Sequence, residues 1–346
     1  MTHHRTIVVA DHHKSLFVCQ VLDRDSGETR RLTLPSRRGE LEPFLAGLPG
    51  PVQVFVEACR SWEWVSDLCE DLGVDLRLVD PSRMPEIARS SKKTDHHDVE
   101  AMVQRLVVTG GLPESYRASR SERELRALTR RLSDLRRSRK RYVHQIHALI
   151  DAHGLPAIKA DFVRAAWRGQ MKSKLSRLSW LDLECVLLQY DTNLALKAAL
   201  EGELEDLLKD REDYQRLCEI PGVGGVIAAT ILGESPGIQR FKRARQYAAF
   251  TGLTTRVRSS GGKATLGHIT REGSPDLRWA LGQAAMVGIR ARRKPTAVSG
   301  FYRRKRRRGK PGAVAVCAAA HKLARAVWVV LARGEHFLAD PTSKAA

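Results

Sequence analysis

The sequence predicts an α/β domain followed by two mainly helical segments. Three observations support this: apolar runs that alternate with helical spacings over residues 1–115, a 3-4 spacing of apolar residues over 125–149, and an Ala- and Val-rich stretch over 313–331. A chain of 346 residues is long enough for two or three domains. We therefore predict domains at 1–115, 116–212 and 213–346.

The first segment contains five predicted strands and three predicted helices. Short apolar runs fit buried strands, turn residues at 23–27 indicate a hairpin, and alternation of basic and apolar residues indicates an edge strand. The predicted strands lie at 6–10, 16–22, 29–34, 52–56 and 75–79, and the helices at 39–48, at 62–72 and from Thr94 to about Val108.

Four acids fall at notable places in this order. Asp11 ends the first strand and Glu57 the fourth, while Asp95 and Asp98 share one face of a first helical turn. Taken singly, Asp11 fits a turn, Glu57 fits a helix cap, and the Asp95/Asp98 pair fits the helix dipole. The order of elements looks like the ribonuclease H fold of RuvC-type nucleases and many transposases. In that fold these positions converge, and four carboxylates suit two Mg²⁺ ions in phosphoryl transfer.

Histidines and lysines flank these acids. Carboxylate-rich sites select hard cations, so we interpret the histidines as solvent- or phosphate-facing and not as zinc ligands. We predict that the lysines contact phosphates, with ordinary surface lysines as the alternative. These residues are His12, His13, His96 and His97, with Lys14, Lys92 and Lys93.

The middle segment predicts a basic helical arm. Its apolar spacing indicates a coiled-coil helix, with Leu125 and Leu149 near the two ends. The other faces are basic, and we predict that Arg130 and Arg131 bind nucleic acid. A second helix runs from about 181 to 209. The two helices would pair as an antiparallel arm, within one chain or between chains, or form a simple helical linker.

The third segment opens with a turn that resembles a helix-hairpin-helix element. Residues 221–224 read Pro-Gly-Val-Gly, and the backbone amides at Gly222 and Gly224 would hold a phosphate without reading bases. Farther on, Arg303 and Arg304 lie in a dense basic run and are predicted nucleic-acid contacts. The aromatic pair before them would stack on bases or pack inward. The stretch 313–331 should form a buried helix.

Between these features lies the stretch Ser259-Ser260-Gly-Gly, which reads as a flexible loop. A serine here is a nucleophile if a metal ion or a base eases its deprotonation. Basic residues around the loop would surround the phosphate that it attacks. These are Arg256, Arg258, Lys263, His268 and Arg271.

Charge and composition narrow the class of partner. The net charge is +20, from 59 basic and 39 acidic residues, which indicates a polyanion and best fits nucleic acid. There is no uninterrupted run of eighteen apolar residues and no apolar N-terminal signal region, so we expect no membrane partner and a cytoplasmic location. The six cysteines form no CxxC pair, and we expect buried, reduced thiols.

Together these motifs resemble the DEDD transposases of IS-one-ten (Piv/MooV) type insertion sequences. The resemblance covers nearly the whole chain. It departs from the usual pattern at Val9, where glycine is frequent, and at Cys59-Arg60, where Thr-Gly is frequent. Its motifs are Asp11 with Lys14, Val56-Glu57-Ala58, Lys93-Thr94-Asp95-His-His-Asp98, Ile220-Pro-Gly-Val-Gly, Phe241-Lys, Ala248-Ala-Phe-Thr-Gly-Leu253, Ser260-Gly261, Gly267-His-Ile-Thr-Arg-Glu-Gly273 and Leu277-Arg278.

The resemblance implies a site-specific DNA recombinase that excises and inserts its own element. It implies that Asp11, Glu57, Asp95 and Asp98 bind Mg²⁺ or Mn²⁺. Ser260 would attack a DNA phosphate, with Ser259 as the neighbouring candidate.

The resemblance also implies homodimers that assemble into tetramers and a structured guide RNA from the element. Two alternatives stay open: a hydrolytic RuvC-like junction resolvase that uses water as nucleophile, and a non-enzymatic nucleic-acid scaffold.

Overall fold

The computed structural model describes residues 4–59, 61–84, 95–260, 263–290 and 296–337. Within these ranges, the side chains at 81, 95, 258–260 and 263–266 lie outside the description. The chain divides into two compact units, Met1–Arg120 and Ser121–Ala346.

The first unit is built on a mixed six-stranded sheet with the order β3-β2-β1-β4-β5-β6. Strands β1, β4 and β5 run parallel, and β2, β3 and β6 are antiparallel to their neighbours. The predicted α/β domain is confirmed, and β6 was not predicted. The elements are β1 (Thr6–His12), β2 (Leu16–Asp23), β3 (Thr29–Pro35), α1 (Arg38–Ala46), β4 (Val52–Glu57), α2 (Trp62–Asp71), β5 (Asp75–Val79), a 3₁₀ turn (Pro81–Arg83), α3 (Asp95–Thr109) and β6 (Glu114–Ser115).

Both faces of this sheet are covered. Every residue of β1 is buried, as expected for a central strand between two layers. Val8 and Ala10 pack on the face covered by α1 and α2, whereas Ile7 and Val9 pack on the opposite face with Met102 of α3. Successive strand residues therefore alternate between two separate cores. The position of a residue along the strand, odd or even, decides which helices its side chain contacts.

The second unit is mainly helical and carries one two-stranded hairpin. Its elements are α4 (Arg120–Asp151), a 3₁₀ turn (Lys159–Asp161), α5 (Ala165–Lys174), α6 (Arg177–Leu208), α7 (Glu212–Cys218), α8 (Gly225–Glu234), a 3₁₀ turn (Ile238–Arg240), α9 (Ala244–Phe250), β7 (Thr255–Ser260), β8 (Lys263–Ile269), α10 (Pro275–Arg290), α11 (Ala297–Arg307) and α12 (Gly312–Arg333).

The long helices α4 and α6 pack against each other in antiparallel orientation within one chain. The Asn193 side-chain amide of α6 donates a hydrogen bond to the Leu135 carbonyl of α4 at 3.1 Å. Toward one end, Leu132 and Leu204 join the core of the C-terminal helices. The predicted segments 116–212 and 213–346 thus share a hydrophobic core, and a boundary between them stays a prediction.

The predicted loop at 259–262 is wrong for Ser259 and Ser260, which end strand β7 and pair with β8. Helix α12 is long and apolar enough to cross a membrane, but half of its apolar window is buried in the core, so it is a core helix as predicted. The expectation of buried thiols is wrong for Cys185 and Cys218, which are exposed.

Candidate metal centre and nucleic-acid interface

Two of the predicted acids lie side by side on one face of the sheet. The last paired residues of β1 and β4 are Ala10 and Val56, so Asp11 and Glu57 follow at the same level. Because side chains alternate along a strand, Asp11 lies on the same face as Val9, which α3 covers. Strand β1 continues to His12, past its predicted end at Asp11, so Asp11 lies inside the strand and is only 5% exposed.

Helix α3 supplies the third acid. Met102 packs into the core between α3 and the sheet, and Asp98 lies one helical turn before it on the same side of the helix. The Oδ1 atom of Asp98 is buried and has no hydrogen-bond partner among the described residues. Asp95 begins the helix, but its side chain lies outside the description, as do the predicted phosphate contacts Lys92 and Lys93.

The residues present fit a divalent cation by their chemistry. Carboxylate oxygens are the donors that Mg²⁺ and Mn²⁺ prefer. A buried carboxylate oxygen without a donor is costly, and a bound cation would satisfy Asp98 Oδ1. The described side chains do not include three His, Cys, Asp or Glu close enough to hold a metal, and that search omits Asp95. Asp11, Glu57 and Asp98, completed by Asp95, are the residues that would bind the ion.

The two histidines after Asp11 have different surroundings. His13 is about half exposed, and its Nε2 lies 3.0 Å from Asp11 Oδ2. Lys14, in the turn to β2, is exposed, and its contact with a phosphate stays a prediction. The expectation of a solvent- or phosphate-facing imidazole is wrong for His12, which is 1% exposed.

His12 is buried because strand β1 continues through it. His12 lies two residues after Ala10, so its side chain is on the same face of the strand as Val8 and Ala10. Its ring packs in the core under α1 and α2, edge-on to Trp64. There Nε2 lies 2.6 Å from Ser36 Oγ and Nδ1 lies 3.3 Å from Cys59 Sγ. Burial lowers the pKa of His12, with the neighbouring His13 charge as a second cause. His12 therefore ties the strand end to two loops.

The predicted nucleophile lies at the tip of the β7–β8 hairpin. Ser260 pairs with Lys263 across the two strands. The side chains of Ser259, Ser260, Arg258 and Lys263 lie outside the description, so their contacts stay predictions. Arg256 lies near the base of the hairpin, about 13 Å from Ser260 along an extended strand, and its place around the attacked phosphate stays a prediction.

The helix-hairpin-helix-like turn between α7 and α8 packs tightly on α10. Gly222 has a φ of +96°, and a Cβ there would lie 2.2 Å from the Ala284 carbonyl oxygen. A glycine is therefore required for packing, whatever its part in binding. Gly224 is the exposed N-cap of α8.

An acid lies close to that helix N-terminus. The Tyr214 hydroxyl donates a hydrogen bond to Glu205. A Cβ on Gly225 would lie 3.0 Å from Glu205 Oε2. Negative charge at this point competes with a phosphate for the positive end of the helix dipole. Phosphate binding at Gly224 stays a prediction that the surroundings do not favour.

The two neighbouring arginines of the arm differ in their contacts. Arg130 forms a bidentate ion pair with Glu234, with N–O distances of 2.6 and 3.1 Å, and Glu234 is 2% exposed. This pairing gives Arg130 a structural role. Arg131 is exposed. A nucleic-acid contact fits Arg131 better, and both assignments stay predictions.

Sequence reasoning missed the network where α4 meets α10. Ser133 donates a hydrogen bond to the buried Asp276, and Arg137 pairs with the same carboxylate at 3.1 Å. The Arg136 guanidinium lies 3.2 Å above the Trp279 ring. Only the basic density of α4 hinted at this role, because the partners are more than 130 residues away in the chain.

The basic helix α11 presents two faces. Phe301 is partly buried against the core, which favours the inward-packing alternative for this ring, and Arg304 and Lys322 lie 5.9 and 5.1 Å from it. Arg303 and Arg304 are exposed, although Arg303 also donates to the Ser299 hydroxyl at 3.2 Å. Both remain available to a backbone phosphate.

Two family models match this chain. One, described as Transposase and of the DEDD type of IS110, matches residues 8–154. The other, described as Transposase IS116/IS110/IS902 family, matches residues 214–303. The first match contains the acids and the second contains the hairpin with Ser260.

Curated relatives agree over most of the chain. A Yersinia enterocolitica protein named Transposase for insertion sequence element IS1328 is 29% identical over 319 residues, which cover 87% of this chain and 89% of that protein. The putative transposase y4pF/y4sB of Sinorhizobium fredii is 30% identical over 317 residues, covering 87% and 78%. The Transposase for insertion sequence element IS1111A of Coxiella burnetii is 25% identical over 294 residues, covering 82% and 79%.

The α/β unit with its acids, the basic helical unit and these matches define a DNA transposase, an enzyme that breaks and rejoins DNA. The chain belongs to the IS116/IS110/IS902 transposase family. Its DEDD-type domain indicates use of a divalent metal.

Proposed function

We propose that this transposase recombines DNA through a serine nucleophile at a ribonuclease H-like, carboxylate-bound metal centre. Asp11, Glu57, Asp95 and Asp98 bind Mg²⁺ or Mn²⁺, and Ser260 attacks the DNA. The observation that supports this best is the buried, unpartnered Oδ1 of Asp98, on the helix that covers the face bearing Asp11 and Glu57. A folded protein tolerates such an atom where function requires it.

The chemistry is a phosphoryl transfer with no net hydrolysis. The Ser260 hydroxyl loses its proton to a carboxylate or water, its Oγ bonds to phosphorus, and one P–O ester bond of the DNA breaks. The released DNA end carries away a hydroxyl group. A second hydroxyl end then attacks the phosphoserine, which reseals the strand and returns the serine. A divalent cation, when bound, neutralises phosphate charge at this centre.

The net charge of the chain supports nucleic acid as its partner. A net charge of +20 supports strong, sequence-independent binding to phosphates. We propose that a structured RNA encoded by the element selects the DNA sites by base pairing, while the protein holds backbones. We further propose a cytoplasmic homodimer that assembles into a tetramer, so that acids and serine from different subunits work together.

The covalent intermediate provides the test. Purified protein is mixed with Mg²⁺, DNA carrying the element ends and the RNA transcribed from the element, and protein–DNA adducts are separated on denaturing gels. We expect adducts with the parent protein and with Ser259→Ala, the matched control, and none with Ser260→Ala. Strand cleavage by Ser260→Ala at the parent rate would instead establish water as the nucleophile.

The acids and the RNA are tested in the same assay. We expect Asp11→Asn and Asp98→Asn to lose both cleavage and adduct. If both variants recombine DNA at the parent rate, the acids are structural and the scaffold alternative holds. Recombination that continues at the parent rate after the RNA is omitted would contradict the guide proposal alone.

A further inference from the structure

Three arginines lie near the base of the β7–β8 hairpin. Arg278, near the start of α10, donates a hydrogen bond to the Gly273 carbonyl at 2.6 Å. Arg256 of β7 donates to the Thr270 carbonyl at 3.2 Å. Burial lowers the pKa of Arg278, and the charge of nearby Arg271 lowers it further. The guanidinium groups of Arg256 and Arg278 are therefore hydrogen-bonded to the loop 270–273, and Arg271 belongs to that loop.

This cluster has no acidic partner within the part of the chain that the structure describes. The side-chain hydrogen bonds of Arg256 and Arg278 go to backbone carbonyls and not to carboxylates. Glu272 stands beside Arg271 in sequence, but the two form no ion pair in the described structure. Three like charges around one loop repel each other, and an anion placed among them would remove that repulsion. A phosphate accepts the hydrogen bonds that guanidinium groups offer.

The backbone conformation at Arg271 also indicates a use for this arginine. Arg271 has a φ of +58°, and no other non-glycine residue in the described ranges has a positive φ. The Arg271 amide donates to the Gly252 carbonyl at 3.1 Å. Two residues later, a Cβ on Gly273 would lie 2.1 Å from the Phe250 carbonyl oxygen. The loop is therefore pinned to the end of α9. Glycine would adopt this backbone at lower cost, so an arginine here indicates a use for its side chain.

We propose that Arg256, Arg271 and Arg278 form a binding site for a backbone phosphate of duplex DNA. The proposal rests on the proposed function in one respect: the strand bound here is the one whose phosphate Ser260 attacks. Residues 256 to 260 span about 13 Å of extended strand. Phosphates along one DNA strand rise about 3.4 Å each along the axis, but the strand winds around the axis and they lie roughly 7 Å apart in space, so the bound phosphate lies roughly two nucleotides from the attacked one.

Salt-dependent binding tests this site without catalysis. The full-length Ser260→Ala protein binds a fluorescent 20-base-pair DNA duplex over a range of KCl concentrations. We compare Arg256→Gln, Arg271→Gln and Arg278→Gln in that background, with Arg177→Gln as the control because Arg177 is exposed at the start of α6. Each cluster variant should bind about tenfold more weakly and lower the slope of log K against log salt by about one. The control should change neither quantity.

Two further variants separate binding from folding. Arg271→Gly suits the left-handed backbone, so its urea midpoint should equal or exceed that of the parent, while its DNA affinity still falls. Arg271→Lys should keep most of the salt slope. An unchanged slope in Arg271→Gly and in all three glutamine variants overturns the proposal. So does a loss seen with a single-stranded RNA probe of equal length but not with duplex DNA.

Because Ser260→Ala is present throughout, the result is independent of the adduct assay. Reduced slopes together with adducts that do not depend on Ser260 would leave the phosphate site standing and remove the serine mechanism. Unchanged slopes together with Ser260-dependent adducts would overturn the phosphate site and support the serine mechanism.

Discussion

Replacing Asp98 by alanine should make the metal-free protein more stable, contrary to the usual effect of altering a partly buried residue. The Oδ1 atom of Asp98 is buried and unpartnered among the described residues. The parent protein therefore retains an unfavourable contact that alanine removes. The same change deletes a proposed metal ligand, so it should abolish any stabilisation by Mg²⁺.

The expected magnitude follows from three contributions. Removing a buried, unsatisfied polar atom contributes about 1–3 kcal/mol. Alanine adds about 0.5 kcal/mol through its higher helix propensity. Losing a negative charge near the N-terminus of α3 costs about 0.3–1 kcal/mol. Together these contributions raise the free energy of unfolding in EDTA by about 0.5–3 kcal/mol, with a midpoint of about 2 kcal/mol. For the parent, Mg²⁺ at one hundred times its dissociation constant adds about 2.7 kcal/mol, which reverses the order.

The assay is native-state hydrogen exchange of β1 amides in urea, which reports on the first unit alone. Parent and variant are compared in EDTA and in MgCl₂. Glu100→Ala is the control, because Glu100 lies on the same helix and its carboxylate is paired with Arg31 at 2.7 Å. This exposed ion pair is worth less than about 1 kcal/mol, so the control should lose a little stability and keep its response to Mg²⁺.

Two results would refute the reasoning. If Asp98→Ala is less stable than the parent in EDTA, the carboxylate is satisfied in solution. If Asp98→Ala keeps the parent response to Mg²⁺, Asp98 is not a ligand.

Further predictions concern the second unit. Arg130→Ala should lower the free energy of unfolding by about 3 kcal/mol in urea melts, because the buried Glu234 carboxylate loses its partner. Arg131→Ala should change DNA affinity and not stability. Equal stability of the two variants would contradict this prediction. Gly222→Ala should cost several kcal/mol in the same melts, since its Cβ would overlap a carbonyl of α10, and a wild-type midpoint would show that the turn can move. Burial lowers the pKa of His321, with Arg325 as a second cause, so its contribution to stability is present above about pH 6.5 and is lost as the pH falls. The urea midpoint of His321→Gln should therefore vary less between pH 7.5 and 5.5 than that of the parent.

Much of the first unit could be predicted from the sequence. The five strands and three helices follow from apolar runs and turn residues, which are local signals. The placement of Asp11 and Glu57 on one face follows from the strand period and from parallel pairing. Even the burial of His12 was accessible by parity, but only once the strand was known to continue past Asp11 and to be covered on both faces.

The second unit shows where local signals end. Arg130 and Arg131 are adjacent and equivalent as basic residues in the sequence. Only the structure shows that Arg130 is paired with Glu234, which lies 104 residues away. The serine stretch looked like a loop because serine and glycine favour turns, and strand pairing with β8 outweighed that preference.

The sequence by itself determined the class of elements, the positions of the acids and the family, because these depend on spacing along the chain. The tertiary structure alone decided which charges are neutralised. Glu234 pairs with Arg130, and Glu205 lies close to the N-terminus of α8. Arg256, Arg271 and Arg278 lie near one loop without an acidic partner in the described structure. The physical reason is that electrostatic energy depends on distance in space, and these partners are brought together only by folding.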